Sequence, residues 1–253
     1  SAPDRAGQPM SPSPARVRPG KRPAHRLRLD VPTAAAADSA ADLAGRQGLH
    51  TACRSVVHIG DSTSVGMVSP QSLPDPSQRL AAQYAAVGVR TTYADASGGR
   101  SVVEALPGQV NGYAAARAVA ERGFRGCWVF ALGTNDTANV SVGSPVGRMG
   151  RIREMMSVAQ GAPVMWVNVK TLLASGPWSQ ANMQLWNNAL RRACAQYPNL
   201  RVFDWASVAR DQWFVSDGVH YTPAGFADRA RLTAQALARA FPRSGHSAGC
   251  LVR

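Results

Sequence analysis

Lysine is nearly missing from this chain: Lys21 and Lys170 are the only two among 253 residues. Acidic side chains are also scarce, 15 against 28 Lys plus Arg, which leaves a formal charge of +13. The surplus is mostly arginine scattered through helical patterns, plus a tail. Residues 1–30 hold Arg5, Arg16, Arg18, Lys21, Arg22, Arg26 and Arg28 against Asp4 and Asp30, a net +5 among Pro, Ser and Gly. That distribution argues against a nucleic-acid face and suits a solvated tail, or contact with an anionic envelope polymer or membrane surface. No run reaches the roughly eighteen uninterrupted apolar residues that a membrane helix needs. The chain starts at Ser1 and is read as trimmed, which leaves open a signal peptide or membrane segment upstream.

Cysteine is sparse as well. Cys53, Cys127, Cys194 and Cys250 form no C-x-x-C pair and no Cys/His spacing that suits zinc. No metal and no organic cofactor is expected. If the chain is an α/β sheet protein, all four cysteines fall near the edge opposite the loops that would carry chemistry. Two disulfides are then conceivable, with Cys53–Cys250 and Cys127–Cys194 the preferred pairing, and they would suit an exported protein. Four free thiols are the other reading.

What is present reads as one domain. Residues 1–48 form a basic, Pro- and Ala-rich tail or linker, 49–242 the domain, and 243–253 a C-terminal tail. Strand-like runs rich in Val, Ile, Trp and Phe lie at Ser55–Ile59, Val89–Ala96, Gly126–Leu132, Pro163–Val169 and Leu200–Trp205. Most are rich in apolar residues, as strands buried on both faces should be. Helical patterns alternate with them at Ser77–Ala86, Val102–Glu121 (with a break at Pro107-Gly108), Val146–Ala159, Ser179–Tyr197 and Pro223–Phe241. Thr222 before Pro223 is a good N-cap with proline at the first helical position. This alternation predicts an α/β fold, a five-stranded parallel sheet between two layers of helices.

Four short motifs fall just beyond these elements. Gly60-Asp61-Ser62-Thr63 follows the first strand, Ser97-Gly98-Gly99 the second and Gly133-Thr134-Asn135-Asp136 the third, and Asp217-Gly218-Val219-His220 precedes the last helix. A serine hydroxyl is a poor nucleophile until a histidine takes its proton and a carboxylate holds that histidine in the right tautomer. Sites in open α/β sheets form beyond the carboxyl ends of the strands, so the shared position of these fragments points to one site. Taken singly each has a plain reading: Asp61 as a helix cap, Asn135 and Asp136 as turn residues, His220 as a helix N-terminal residue. His58, inside the first strand, and Asp95 read as structural.

In these four blocks the chain resembles the SGNH (GDSL-type) hydrolases over residues 55–241, with Thr63 where leucine is commonest and the second block the loosest. The resemblance implies a flavodoxin-like three-layer α/β/α sandwich and ester hydrolysis through an acyl-enzyme. It makes Ser62 the nucleophile, His220 the general base and acid, and Asp217 its orienting carboxylate. It assigns the oxyanion to the backbone N–H groups of Ser62 and Gly98, with Gly99 the fallback, and to the side-chain amide of Asn135. Gly245-His246-Ser247-Ala248-Gly249 matches the G-x-S-x-G nucleophile elbow but has no strand before it and no Asp and His after it.

Substrate contacts are expected from Asp61, Thr63, Arg100, Trp178 and Trp213. Trp178 would stack on a sugar or line an acyl pocket, and Arg100 would recognise an anion or, by preference, pair with an acidic residue. The expected activity is an exported, monomeric ester hydrolase acting on a small-molecule, lipid or glycan ester. The alternatives are an O-acyltransferase domain acting on an envelope glycan and a non-catalytic module that binds cell-wall polymer.

Overall fold

The computed structural model describes residues 48–253; the basic tail and the alanine-rich segment expected at the N-terminus lie outside the described residues. Six strands are present: β1 (Ser55–Gly60), β2 (Thr91–Ala96), β3 (Cys127–Ala131), β4 (Val164–Val167), β5 (Leu200–Phe203) and β6 (Leu251–Val252). They form one parallel sheet in the order β2-β1-β3-β4-β5-β6. The expectation of five strands is corrected by β6, a two-residue strand in what reads as a tail. Its backbone holds β5 through bonds from Val202 N–H to Cys250 O and from Asp204 N–H to Val252 O, at 2.7 and 2.8 Å.

Eight α-helices connect and cover the strands among the described residues: α1 (Ser62–Val68), α2 (Leu80–Ala86), α3 (Gly112–Glu121), α4 (Thr134–Ser141), α5 (Arg148–Ala159), α6 (Gln180–Cys194), α7 (Trp205–Val208) and α8 (Pro223–Ala240). Successive strand residues point to opposite faces, and the core divides accordingly. Val56, Val129, Met165 and Phe203 pack with Leu80 and Tyr84 of α2 and Ala230 and Leu237 of α8. Val57, Phe130, Trp166 and Val202 pack instead with Ala116 of α3, Met155 of α5 and Leu190 of α6. A strand buried on both sides has to be continuously apolar, which is why these runs are legible.

Helix boundaries follow the caps. Thr222 Oγ1 accepts Gly225 N–H at 3.0 Å with Pro223 at the first helical position, and Ser179 and Asn111 cap α6 and α3. The helix expected from Val102 begins only at Gly112, and Val102 gives its N–H to the Asp136 carboxylate at 2.8 Å. Residues 97–111 are therefore a long loop at the carboxyl end of β2.

The disulfides join Cys53 to Cys127 and Cys194 to Cys250, each with Cα atoms 5.8 Å apart. This corrects the preferred pairing. β1 and β3 are hydrogen-bonded neighbours with Val56 opposite Cys127, so Cys53, just ahead of β1, stands beside Cys127. Cys250 leads into β6 on the far edge, next to the end of α6. Two disulfides are the mark of an oxidising compartment. No helix among the described residues is long and apolar enough to cross a membrane.

His58 of β1 is fully buried, with Nδ1 3.0 Å from the Tyr84 hydroxyl and Nε2 2.9 Å from Ser64 Oγ. Desolvation, aided by the Arg229 charge, pushes its pKa down to about 3. The unfolded chain takes up that proton near pH 6.5. Stability contributed by neutral His58 is thus complete above pH 6.5 and is lost as pH falls towards 3. Buried Asp136 works the other way: desolvation raises it to about 6, so its contribution is lost as pH rises through that value. Urea melts of wild type and His58→Asn between pH 7 and pH 4 should show a shallower acid loss in the variant, by a few kcal/mol. Parallel curves would mean that His58 does not control the acid limb.

Candidate active site

β1 has neighbours on both sides, reached by connections that leave in opposite directions, so the winding reverses between β1 and β3. A crevice opens there at the carboxyl ends of the strands. Asp61 leaves β1 in an extended conformation and caps α1, its Oδ1 accepting Thr63 N–H at 2.8 Å and Thr63 Oγ1–H at 2.7 Å. Ser62 is the first residue of the helix. The nucleophile candidate is therefore held on an ordered helix start.

From the opposite side, the loop before α8 brings His220 and Asp217. His220 Nε2 lies 2.9 Å from Ser62 Oγ, and Nδ1 lies 2.6 Å from Asp217 Oδ2. An ionised carboxylate only accepts, so Nδ1 carries the proton and Nε2 is left to accept from the serine hydroxyl. Asp217 is itself anchored: its Oδ1 accepts the N–H groups of Val219 and His220 at 2.8 and 2.9 Å. Partial burial acts to raise its pKa. The hydrogen bonds from His220 and Val219 outweigh that and hold it below the usual carboxylate value.

Hydrogen bonds tie the second block to the end of β1 and the third block to the second. Ser97 N–H bonds to Gly60 O at 3.2 Å. Among the described residues no acceptor takes the N–H of Gly98 or of Gly99. Gly99 has φ +69° and a Cβ there would overlap the Leu106 side chain, whereas a Cβ on Gly98 would meet open space. Asn135, second residue of α4, gives one Nδ2 hydrogen to Arg100 O at 3.0 Å and accepts Trp178 Nε1–H on Oδ1 at 3.1 Å. The amide is held at both ends, and its other Nδ2 hydrogen has no partner among the described residues.

The expected substrate contacts divide. Trp178 stands at the rim, 40% exposed, on the loop between β4 and α6. Arg100 is buried and pairs with Asp95 at 3.0 Å, with further bonds to Val110 O and Asp95 O. Asp61 and Thr63 are buried beneath Ser62 and act on it through the helix start, not on a substrate. Trp213 is also corrected: it is buried and stacked on Trp205, ring centres 5.7 Å apart, because its turn packs into the core under α8.

Two supports escape a sequence reading. Arg151 of α5 joins Glu104 to Asp136, and Arg229 of α8 donates to Thr63 Oγ1 at 3.1 Å while lying over the rings of Trp205 and Tyr221. Arginines inside helical patterns carry no signal that separates these two from solvated ones. Among the described residues, no group of three or more His, Cys, Asp and Glu side chains could hold a metal ion.

A family model described as GDSL-like lipase/acylhydrolase matches residues 58–227. The chain belongs to this family. It is an enzyme of the carboxylic-ester hydrolase type. No match was found among curated proteins. Of solved structures, a carbohydrate acetylesterase family member from Sinorhizobium meliloti aligns with TM-score 0.57 at 18% identity, covering 72% of this chain and 95% of that one. A lipase/acylhydrolase from Enterococcus faecalis aligns with TM-score 0.55 at 16% identity, over 76% of this chain and 100% of that one. The inhibitor-bound aryl esterase of M. smegmatis gives 0.54 at 17%, over 72% and 97%. At these identities the likeness establishes the fold that this GDSL-type chain shares with them.

Proposed function

We propose that the chain is a serine esterase that removes a short, acetyl-sized acyl group from a bulky polar alcohol. The observation that carries this reading is the hydrogen-bonded series Ser62–His220–Asp217, at 2.9 and 2.6 Å. Ser62 Oγ attacks the ester carbonyl while His220 Nε2 takes its proton. The oxyanion that forms lies within reach of the N–H groups of Ser62 and Gly98 and of Asn135 Nδ2. Collapse breaks the bond to the alcohol, which leaves with the proton from His220. Water then repeats the sequence on the acyl-enzyme, releasing the acid and free Ser62.

The preference for a small acyl group rests on openness. The side chains of His220 and Asp217 are 43% and 48% exposed, and the apolar side chains of Val65, Leu172, Trp178 and Val215 are themselves part-exposed to solvent. A long acyl chain would gain little burial there. The two disulfides support an exported enzyme. Hydrolysis of p-nitrophenyl esters is expected to be fastest for acetate, with kcat/KM at least about tenfold lower for octanoate. A preference for octanoate would make this a lipase-type site. No Ser62-dependent hydrolysis of any ester would leave acyl transfer to a glycan hydroxyl as the reaction of the site.

A further inference from the structure

A second concavity lies beside the oxyanion loop. It is a cleft of about 400 Å3 between edge strand β2 and helix α3, lined by Tyr93, Asp95, Ser97, Gln109, Val110 and Arg122. Its floor is the small-residue face of α3, Ala114, Ala115 and Ala118. Ser97 directly precedes Gly98, so this cleft opens next to the loop that faces the reacting ester.

The lining is unlike that of a chance gap. Exposed sheet edges are usually guarded by charge rather than by bare aromatic surface, yet Tyr93 of β2 is 47% exposed. The Arg122 guanidinium carbon is 6.0 Å from the Tyr93 ring centre, and this arginine pairs with no carboxylate among the described residues. Ser97 Oγ–H donates to Gln109 Oε1 at 2.9 Å, which orients the amide and leaves both Nε2 hydrogens unused. Asp95 commits Oδ1 to Arg100 at 3.0 Å, and its Oδ2 has no partner among the described residues. The cleft therefore presents an aromatic ring, a free carboxylate oxygen, an oriented amide donor and an unpaired guanidinium over a floor of methyl groups.

That set matches a sugar ring. A pyranose has hydroxyls that both donate and accept, and C–H faces that pack on an aromatic ring or on methyl groups. A fatty acyl chain would find the Tyr93 ring, Val110 and alanine methyls but leave the Asp95, Gln109 and Arg122 polar groups unmatched, and a simple anion would meet the Asp95 carboxylate beside the arginines. We propose that this cleft is a saccharide subsite, which binds a pyranose unit of an acylated glycan beside the ester that Ser62 cleaves. The proposal rests on the reading of the site as an esterase for a short acyl group on a bulky alcohol, and it names that alcohol as a carbohydrate.

Two measurements test it on the full chain. In the first, Ser62→Ala protein with 13C-labelled tyrosine is titrated with xylotetraose and with triacetylchitotriose. The Tyr93 ring signal is expected to shift saturably with at least one of them at a Kd of about 1 mM or below, and Gln109→Ala to weaken that binding. In the second, kcat/KM for the O-acetylated form of the same oligosaccharide is divided by that for p-nitrophenyl acetate. The ratio should fall about tenfold or more in Tyr93→Ala and in Gln109→Ala. No saturable Tyr93 shift with either oligosaccharide, or an unchanged ratio in both variants, overturns the subsite. If Ser62→Ala hydrolyses p-nitrophenyl acetate as fast as wild type, the esterase reading fails instead, and the Tyr93 titration still decides the subsite.

Discussion

Replacing Ser62 with alanine should lower kcat for p-nitrophenyl acetate by on the order of 10⁴ or more, with the fold unchanged. The fold is indifferent because Ser62 Oγ makes a single hydrogen bond, to His220 Nε2 at 2.9 Å, and alanine is well tolerated in a helix. Turnover is not indifferent, since among the described residues no other hydroxyl reaches His220: Thr63 Oγ1 is turned to Asp61, and Ser64 Oγ lies against His58. His220→Ala should cost about as much, and the double variant hardly more, because serine and histidine act as one unit. The rate left in each should be that of the oxyanion donors alone, so KM should change far less than kcat. A loss below about tenfold, or losses that multiply in the double variant, would mean that these two residues do not act together on the ester.

The parts of the fold that read well from sequence are those where burial dictates composition. Cys127–Ala131 reads Cys-Trp-Val-Phe-Ala and is buried at every position, so its strand could be placed within a residue or two. The candidate site is readable for a related reason: Ser62 and Asn135 lie shortly after apolar strands, and His220 and Asp217 are three residues apart. What was missed depends on which elements become neighbours. Cys53 pairs with Cys127 because β1 lies beside β3, and Cys250 finds Cys194 because a two-residue strand forms on the far edge. No local pattern encodes either fact. Trp178 shows the same limit. The indole bond that holds Asn135 spans 43 residues.

Arg151→Met should be the most destabilising single change outside the apolar core, by roughly 3–5 kcal/mol. The guanidinium is fully buried and every N–H on it is used. Nη1 and Nη2 grip the two Glu104 oxygens, Nη1 also meets Asp136 at 3.0 Å, Nη2 meets Ser144 Oγ at 2.8 Å, and Nε meets Val146 O at 2.9 Å. The hydrogen bonds from Arg151 and Ser144 hold the Glu104 carboxyl well below the usual range. Removing the arginine leaves Asp136, which is wholly inside, with only the Val102 N–H to satisfy it. Methionine fills much of the volume but supplies no donor, so the cost is that of an unpaired buried carboxylate. Arg151→Lys should recover little, since a point charge cannot grip two carboxylate oxygens and a carbonyl at once. The effect should also reach catalysis: Glu104 lies in the loop that carries Gly98, and Asp136 adjoins Asn135, so the clamp holds together two of the three donors proposed for the oxyanion. Thermal melts should show a fall in Tm of about 10 °C in Arg151→Met, and kcat at a temperature where the variant remains folded should fall while KM for a small ester stays nearly constant. If Arg151→Lys melts with wild type, the bidentate geometry is not what stabilises this corner; if stability falls but kcat does not, the loop keeps its donors in place without the clamp.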